Sequence, residues 1–308
     1  MYLGIEIGGT KLQIVAGETA ITLRERCRLT VDPAAGAAGI RRQIEQALPA
    51  LLARHPVRAV GVGFGGPVDW RSGRIARSHQ IAGWSGFDLT GWLQPLVRAP
   101  VVVDNDANLA ALGEATHGAA AGFNPTFYFN LGSGVGGGLV VDGNIYHGLP
   151  PGEIEFGHLR LDRAGTTVES RCSGWVVDKK LRDLTARTPD SQLARLVGNS
   201  TGGEARHLPA ALAAGDPDAQ SIVTETAEDL AFALGHVVQL LHPALIVLGG
   251  GLAQVGEPLR AAIARALPRY IMEAFLPAPP VCLAKLGEDA VPAGAVERAR
   301  QLAAKLPA

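Results

Sequence analysis

The chain has 308 residues, 47% of them hydrophobic and 19% charged, with a formal net charge of −1. This composition can bury a substantial core, and it lacks the basic blocks and aromatic density of a nucleic-acid-binding surface. No uncharged apolar run reaches membrane-spanning length, the start MYLGIEIGG lacks a signal-peptide layout, and the three cysteines (Cys27, Cys172, Cys282) lie far apart. The expectation is a cytoplasmic protein with reduced thiols, binding neither nucleic acid nor membrane.

Residues 2–30 alternate apolar and polar around glycine turns, as YLGIEI, GG, LQIVAG and ITLRERCRLT. This predicts three consecutive antiparallel strands. A helix is predicted over 38–54, with Ile40, Ile44, Leu48 and Leu52 on one stripe. VRAVGVGF is a buried strand closed by Gly-Gly-Pro, and VVVDND is another, followed by a helix to about His117. TFYFNL and GGLVVDG are strands joined by glycines. Helical runs fill much of 173–241, ALIVLGG is a buried strand, and a helix starts at about Val255. The last helix spans about Pro292–Lys305, with proline in its first turn. Two units thus each begin strand, glycine turn, strand, then add helices and a parallel strand. The pattern predicts two α/β lobes with a cleft between them.

Three glycine clusters sit at strand ends. EIGGTK (6–11) brings backbone N–H groups, a hydroxyl and a lysine together, which suits an anion. NLGSGVGGGLVVDG (130–143) contains G-x-G-x-x-G, but a strand follows it where a dinucleotide fold needs a helix. Neither loop has the Walker spacing. VLGGGLAQVG (247–256) lies at the carboxyl end of a buried strand, where open α/β sheets bind ligands. Any one of them serves equally as a plain turn; together they favour a nucleotide cradle. The stretch VVVDNDANLAALGEA (101–115) ends a buried strand on Asp104, Asn105, Asp106 and Asn108. Helix capping accounts for one such residue, and is the role expected of Asn108. It does not account for four.

EIGGTK, GFGGPVD (63–69), DNDANLAALGE (104–114), GSGVGGG (132–138), EFGH (155–158) and VLGGG (247–251) occur in the order seen in ROK-family sugar kinases, which the chain resembles from residue 3 to about 265. The resemblance implies two actin-like ATPase (ribonuclease H-like) lobes flanking a central cleft. The smaller is expected over 1–107, with a C-terminal helix at 292–308 packing back on it, and the larger over 108–291. It further implies a glucokinase-like transfer of the ATP γ-phosphoryl group to a hexose hydroxyl, with Asp106 as general base. Asn105, Gly66, Glu155, His158 and Glu169 would bind the sugar. Gly8, Gly9, Thr10 and Lys11, with Gly132, Ser133, Gly134 and Gly136, would embrace the phosphates. Gly249, Gly250 and Gly251 would lie against adenosine. Glu6 stands where the family commonly has Asp, and would meet Mg²⁺ through water. A homodimer is implied, and helical residues 222–241 serve equally as interface or as core.

The chain departs from the family in two further places. Gln80 replaces the usual Asn in HQIAGW (79–84), which leaves open a kinase for an N-acetyl-hexosamine or other unusual sugar, or a sugar-binding, catalytically silent regulator. The family's cysteine loop between the Gly-His motif and Glu169 is missing, and Cys172 lies beyond Glu169. One His and one displaced Cys do not make a closed site, so no structural zinc is expected.

Overall fold

The computed structural model describes residues 1–19, 22–78, 81–152, 154–198 and 200–306; Gln80 lies outside them. The elements follow in chain order: β1 Tyr2–Ile7, β2 Lys11–Thr19, β3 Thr22–Thr30, α1 Gly36–Arg54, β4 Ala59–Phe64, β5 Val68–Asp69, β6 Arg74–Ile75, α2 Leu89–Val97, β7 Val101–Asn105, α3 Asp106–His117, β8 Thr126–Leu131, β9 Val135–Val141, β10 Asn144–Ile145, α4 Val168–Cys172, α5 Gly174–Arg187, α6 Gln192–Val197, α7 Leu208–Ala213, α8 Pro217–Leu241, β11 Leu245–Gly249, α9 Glu257–Ala266, β12 Val281–Leu283 and α10 Ala290–Ala304.

Two five-stranded sheets have the same order, β3-β2-β1-β4-β7 and β10-β9-β8-β11-β12. In the first, β1 runs antiparallel to β2 and parallel to β4, and β4 runs parallel to β7. In the second, β11 lies parallel to both β8 and β12. The mixed α/β class follows from this repeated plan: glycine-turn hairpin first, then parallel strands that need helical crossovers.

The chain forms two compact units. Unit 1 is Met1–Gly122, Gly138–Ile154 and Lys285–Ala308; unit 2 is Phe123–Gly137 and Glu155–Ala284. The boundary expected at 107/108 therefore falls inside unit 1, at the start of α3. The cause is helix packing. Strand period 2 turns Leu3, Ile5, Val60 and Val62 into the core shared with Ile40, Ile44 and Leu48 of α1. It turns Gly4 and Gly61, which are register partners, toward α10. A methyl built on Gly4 would stand 2.9 Å from Pro292 O, and one on Gly61 would collide with Ala295 O. On its other side α10 meets α3 as closely, because a methyl on Gly113 would stand 3.1 Å from Gly294 N. These glycines let α10 and α3 pack backbone to backbone, and that ties both helices to the first sheet.

The stripe of α1 ends on Leu51, which is buried, while Leu52 is only half-buried. The last helix starts at Ala290, so Pro292 is its third residue. A 3-10 turn spans Gly251–Val255, and α9 follows it at Glu257. The α3 N-cap is Asn105, whose Oδ1 accepts from Ala107 N at 2.8 Å and Asn108 N at 3.1 Å. Capping thus belongs to Asn105 and not to Asn108. No described helix is long and apolar enough to cross a membrane.

Candidate functional site

Each unit carries its own set of the expected residues. In unit 1, strand register makes the set. Ile7 pairs with Phe64, and Phe64 with Asn105, so three neighbouring parallel strands end level. The next residues along each strand are Gly8, Gly65 and Asp106. Gly65 N donates to Ile7 O at 3.0 Å. A methyl built on Gly65 would stand 3.4 Å from Asp106 Oδ2 and 3.9 Å from Gly8 Cα. The glycines thus leave room directly beside the Asp106 carboxylate. Its Oδ1 accepts from Ala107 N at 2.8 Å, at the amino end of α3.

Asn105 has less freedom than a pure sugar ligand would. Its Oδ1 is the helix cap, and its Nδ2 donates to Gly66 O at 3.2 Å. One Nδ2 hydrogen remains for a ligand. Gly66 has φ 151, a conformation that favours glycine, and so presents its carbonyl to Asn105.

The hairpin Gly8–Lys11 is closed by Gly8 N donating to Lys11 O at 2.9 Å, so that amide is not offered to an anion. Glu6 anchors the loop's lysine. Its Oε1 lies 3.3 Å from Lys11 Nζ, and its Oε2 accepts from Gln13 Nε2 at 2.8 Å. Burial pushes the Glu6 carboxyl above its ordinary value, with Lys11 and Gln13 pulling the other way. A metal bound directly would share this carboxylate with an ammonium group. Each oxygen keeps a second lone pair, so the carboxylate retains acceptor capacity for a cation's water beside Lys11 and Gln13.

In unit 2, Asn130 and Gly249 pair in register at the ends of β8 and β11, which sets the 132–136 and 249–251 loops at one edge. A methyl on Gly250 would stand 2.6 Å from Leu131 N. The 132–136 loop is internally bonded: Gly132 N donates to Gly134 O at 2.9 Å, and Gly136 N to Asn130 Oδ1 at 3.0 Å. Glu169 completes it, its Oε2 accepting from Val135 N at 2.8 Å. The loop amides left for a ligand are those of Ser133 and Gly134. Gly157 of EFGH packs on Val135, and Gly174 N donates to Gly132 O at 2.7 Å. Glu155, His158, Glu169 and the loop therefore form one cluster. Glu155 and His158 have side chains 50% and 70% exposed, and His158 Nε2 lies 4.0 Å from Glu155 Oε2, beyond hydrogen-bond reach.

Cys172 is buried, its thiol 3.9 Å from Thr226 O, and burial pushes its pKa up to about 12. Among the described residues, no group of three or more His, Cys, Asp or Glu is placed to hold a metal ion.

Sequence reasoning missed three functional roles. Gly65 was legible as the first glycine after a buried strand. The anchoring of the loop by Glu169 and of Lys11 by Glu6 had no spacing signal, since only the fold brings these groups together.

These halves have close counterparts. The ROK family profile matches residues 2–301. A glucokinase of Halalkalibacterium halodurans is 31% identical over 94% of this chain and 92% of its own. A kanosamine kinase of Amycolatopsis mediterranei is 31% identical over 82% of this chain and 80% of its own. Among solved structures, a ROK family glucokinase from Streptomyces griseus, in complex with glucose and AMPPNP, superposes with a TM-score of 0.83 at 29% identity, over 97% of this chain and 99% of its own. With a profile match along nearly its full length, and the same two-sheet α/β plan as that glucokinase, the chain belongs to the ROK family.

Proposed function

We propose that the protein is an ATP-dependent sugar kinase, glucokinase-like, that transfers the γ-phosphoryl group to a hexose hydroxyl with Asp106 as general base. The observation that carries this reading is the level ending of β1, β4 and β7, which sets the Asp106 carboxylate 3.4 Å from a methyl built on Gly65, beside Gly8 of the hairpin. A carboxylate and a glycine hairpin at neighbouring strand ends bring a proton acceptor beside a loop suited to an anion.

Phosphoryl transfer passes through a loose transition state, so positioning and charge supply most of the catalysis. Asp106 orients the sugar hydroxyl and takes its proton as the oxygen–phosphorus bond forms and the bond from the γ-phosphorus to the bridging oxygen breaks, releasing ADP. Asn105 offers its remaining Nδ2–H to the sugar. Glu155, His158 and the Oε1 of Glu169 bind further hydroxyls. Gly9, Thr10 and Lys11, with the amides of Ser133 and Gly134, meet phosphate oxygens, while the bonds made by Gly8, Gly132 and Gly136 hold the loops in shape. Gly249–Gly251 lie against adenosine. Glu6 would hold Mg²⁺ through water, and the ion would supply charge that neutralises the phosphates.

The kanosamine kinase, 31% identical over 82% of this chain, supports an amino-hexose as an alternative acceptor, beside the N-acetyl-hexosamine or other unusual sugar that Gln80 leaves open. Retention of Asp106 favours an enzyme over a silent regulator. The reading extends to a cytoplasmic homodimer, which light scattering at micromolar concentration checks.

The deciding experiment is a coupled assay of ATP consumption with a panel of hexoses and N-acetyl-hexosamines. One sugar should be phosphorylated with clear preference. Asp106→Asn should lower kcat by roughly 10²–10⁴ with sugar binding largely kept. Near-normal turnover in that variant would refute the assignment of the base.

A further inference from the structure

Asp104 is 1% exposed, and nothing in the proposed chemistry uses it. A buried carboxylate is costly unless it is paired and fully hydrogen-bonded. This one is. Its Oδ1 accepts from Asn105 N and from Asn108 Nδ2, both at 3.0 Å. Its Oδ2 accepts from His147 Nε2 at 2.8 Å and faces Arg298 Nε at 3.6 Å. An apolar residue would end a buried strand at less cost. The polar choice therefore calls for another explanation.

The partners come from separate parts of unit 1: the β7 end, the segment after β10, and α10. A carboxylate only accepts, so His147 must donate from Nε2, which fixes its tautomer or leaves it protonated. Its ring lies flat on the Trp70 indole, with centroids 4.4 Å apart and planes at 19°. Trp70 in turn packs against Gly152, where a methyl would stand 2.7 Å from Trp70 Cδ1. His147 is thus held on its face and at its nitrogen, as an orienting group is. Asp104 Oδ1 holds the amide of Asn105, which lies one residue before the proposed base. It also holds Asn108, one helical turn beyond the cap.

We propose that His147, acting through Asp104 and backed by Arg298, is a positioning residue that holds the Asn105–Asp106 turn in its reactive geometry. The proposal rests on the reading of Asp106 as general base. The His147 side chain is only 8% exposed, between Asp104 and the Trp70 ring.

The test uses the full chain and the best sugar from the panel. His147→Phe keeps a ring on Trp70 and removes the donor. We expect its kcat to fall by about 10- to 100-fold, the cost of a misplacement on the order of 1 Å. KM for ATP should stay within about twofold, since the hairpin and the 132–136 loop take no part in this network. His147→Gln, which restores an N–H, should recover part of the lost turnover. A residue that only stabilised the fold would lower the fraction of protein able to bind an ATP analogue and leave kcat per binding site unchanged. Asp106→Asn is run in parallel. If that variant turns over normally, the reading of the base fails. If it is slow while His147→Phe has wild-type kcat, the positioning role fails. Should His147→Phe not fold, His147→Leu carries the test, because it too removes the donor to Asp104 Oδ2. Wild-type kcat in His147→Leu would then overturn the proposal.

Discussion

Glu169 shows how one side chain serves a loop before any ligand arrives. Its Oε2 lies 2.8 Å from Val135 N, and a methyl on Gly134 would stand 2.6 Å from the same oxygen. A side chain on Gly134 would push this carboxylate away from Val135 N. Glu169→Ala leaves Val135 N without its charged acceptor, a loss on the order of 1.5–3 kcal/mol. Measured without sugar, binding of an ATP analogue should weaken about tenfold or more. Unchanged nucleotide affinity, with only sugar KM altered, would confine Glu169 to the sugar. Neither this contact nor the Asp104–His147 bond is legible in the sequence. Residues 43 apart in the chain meet only once the sheet order is known. The motifs themselves were legible, because GG, DND and GSGVGGG mark strand ends by their chemistry. Which loop amides stay available was not legible, since Gly8, Gly132 and Gly136 donate inside their own turns.

At the scale of elements, α10 rests on glycine. A side chain on Gly61 would collide with Ala295 O, and no rotamer moves a backbone oxygen. Gly61→Ala should destabilise the protein by about 1–3 kcal/mol, read as a lower urea midpoint. An unchanged midpoint would show that α10 shifts at no cost. In unit 2, α5 is clamped to the 3-10 turn Glu204–His207. Asp178 accepts from Gly203 N at 3.0 Å and Ala205 N at 2.8 Å, and Arg182 Nη1 lies 2.7 Å from Glu204 Oε2. Burial pushes the Glu204 carboxyl up, but Arg182 and backbone N–H groups outweigh it and leave it below its usual range. A depressed carboxyl stabilises the fold above its ordinary value, and that contribution is lost as pH falls through the folded one. Arg182→Met should therefore lower Tm at pH 7, and the gap to wild type should close as the solution is acidified below the ordinary carboxylate range. A gap independent of pH would show that Arg182 acts by packing alone. Elements with one clear period were read closely: TFYFNL is β8 residue for residue. The cap of α3 was misplaced, because Asn105 and not Asn108 accepts the first helical amides, while Pro292 falls in the first turn of α10, where proline is tolerated.

For the whole molecule, the expectation of no structural zinc raises the question of what orders the segment before Glu169. Thr167 and Ser170 form a reciprocal capping box at the start of α4, and Val168 N donates to Leu159 O at 3.0 Å. Short connections of this kind lose little entropy on closing. Elemental analysis should find well under one zinc per chain, and chelators should leave Tm unchanged. Stoichiometric zinc released only on denaturation would show that the loop had been misaligned.

The two units also share the chain unevenly. It passes between them at 122/123, 137/138, 154/155 and 284/285, and the helix that covers Gly4 and Gly61 is the last to be made. A ribosome adding ~5–20 residues per second finishes β4 roughly 10–50 s before α10 emerges. During that interval one face of the nascent first sheet has no cover, and its small residues offer little for a wrong partner to grip. The protein completes its first unit only after synthesising its second, so chaperone dependence during translation should follow the arrival of residues 290–304 and not the length of chain made.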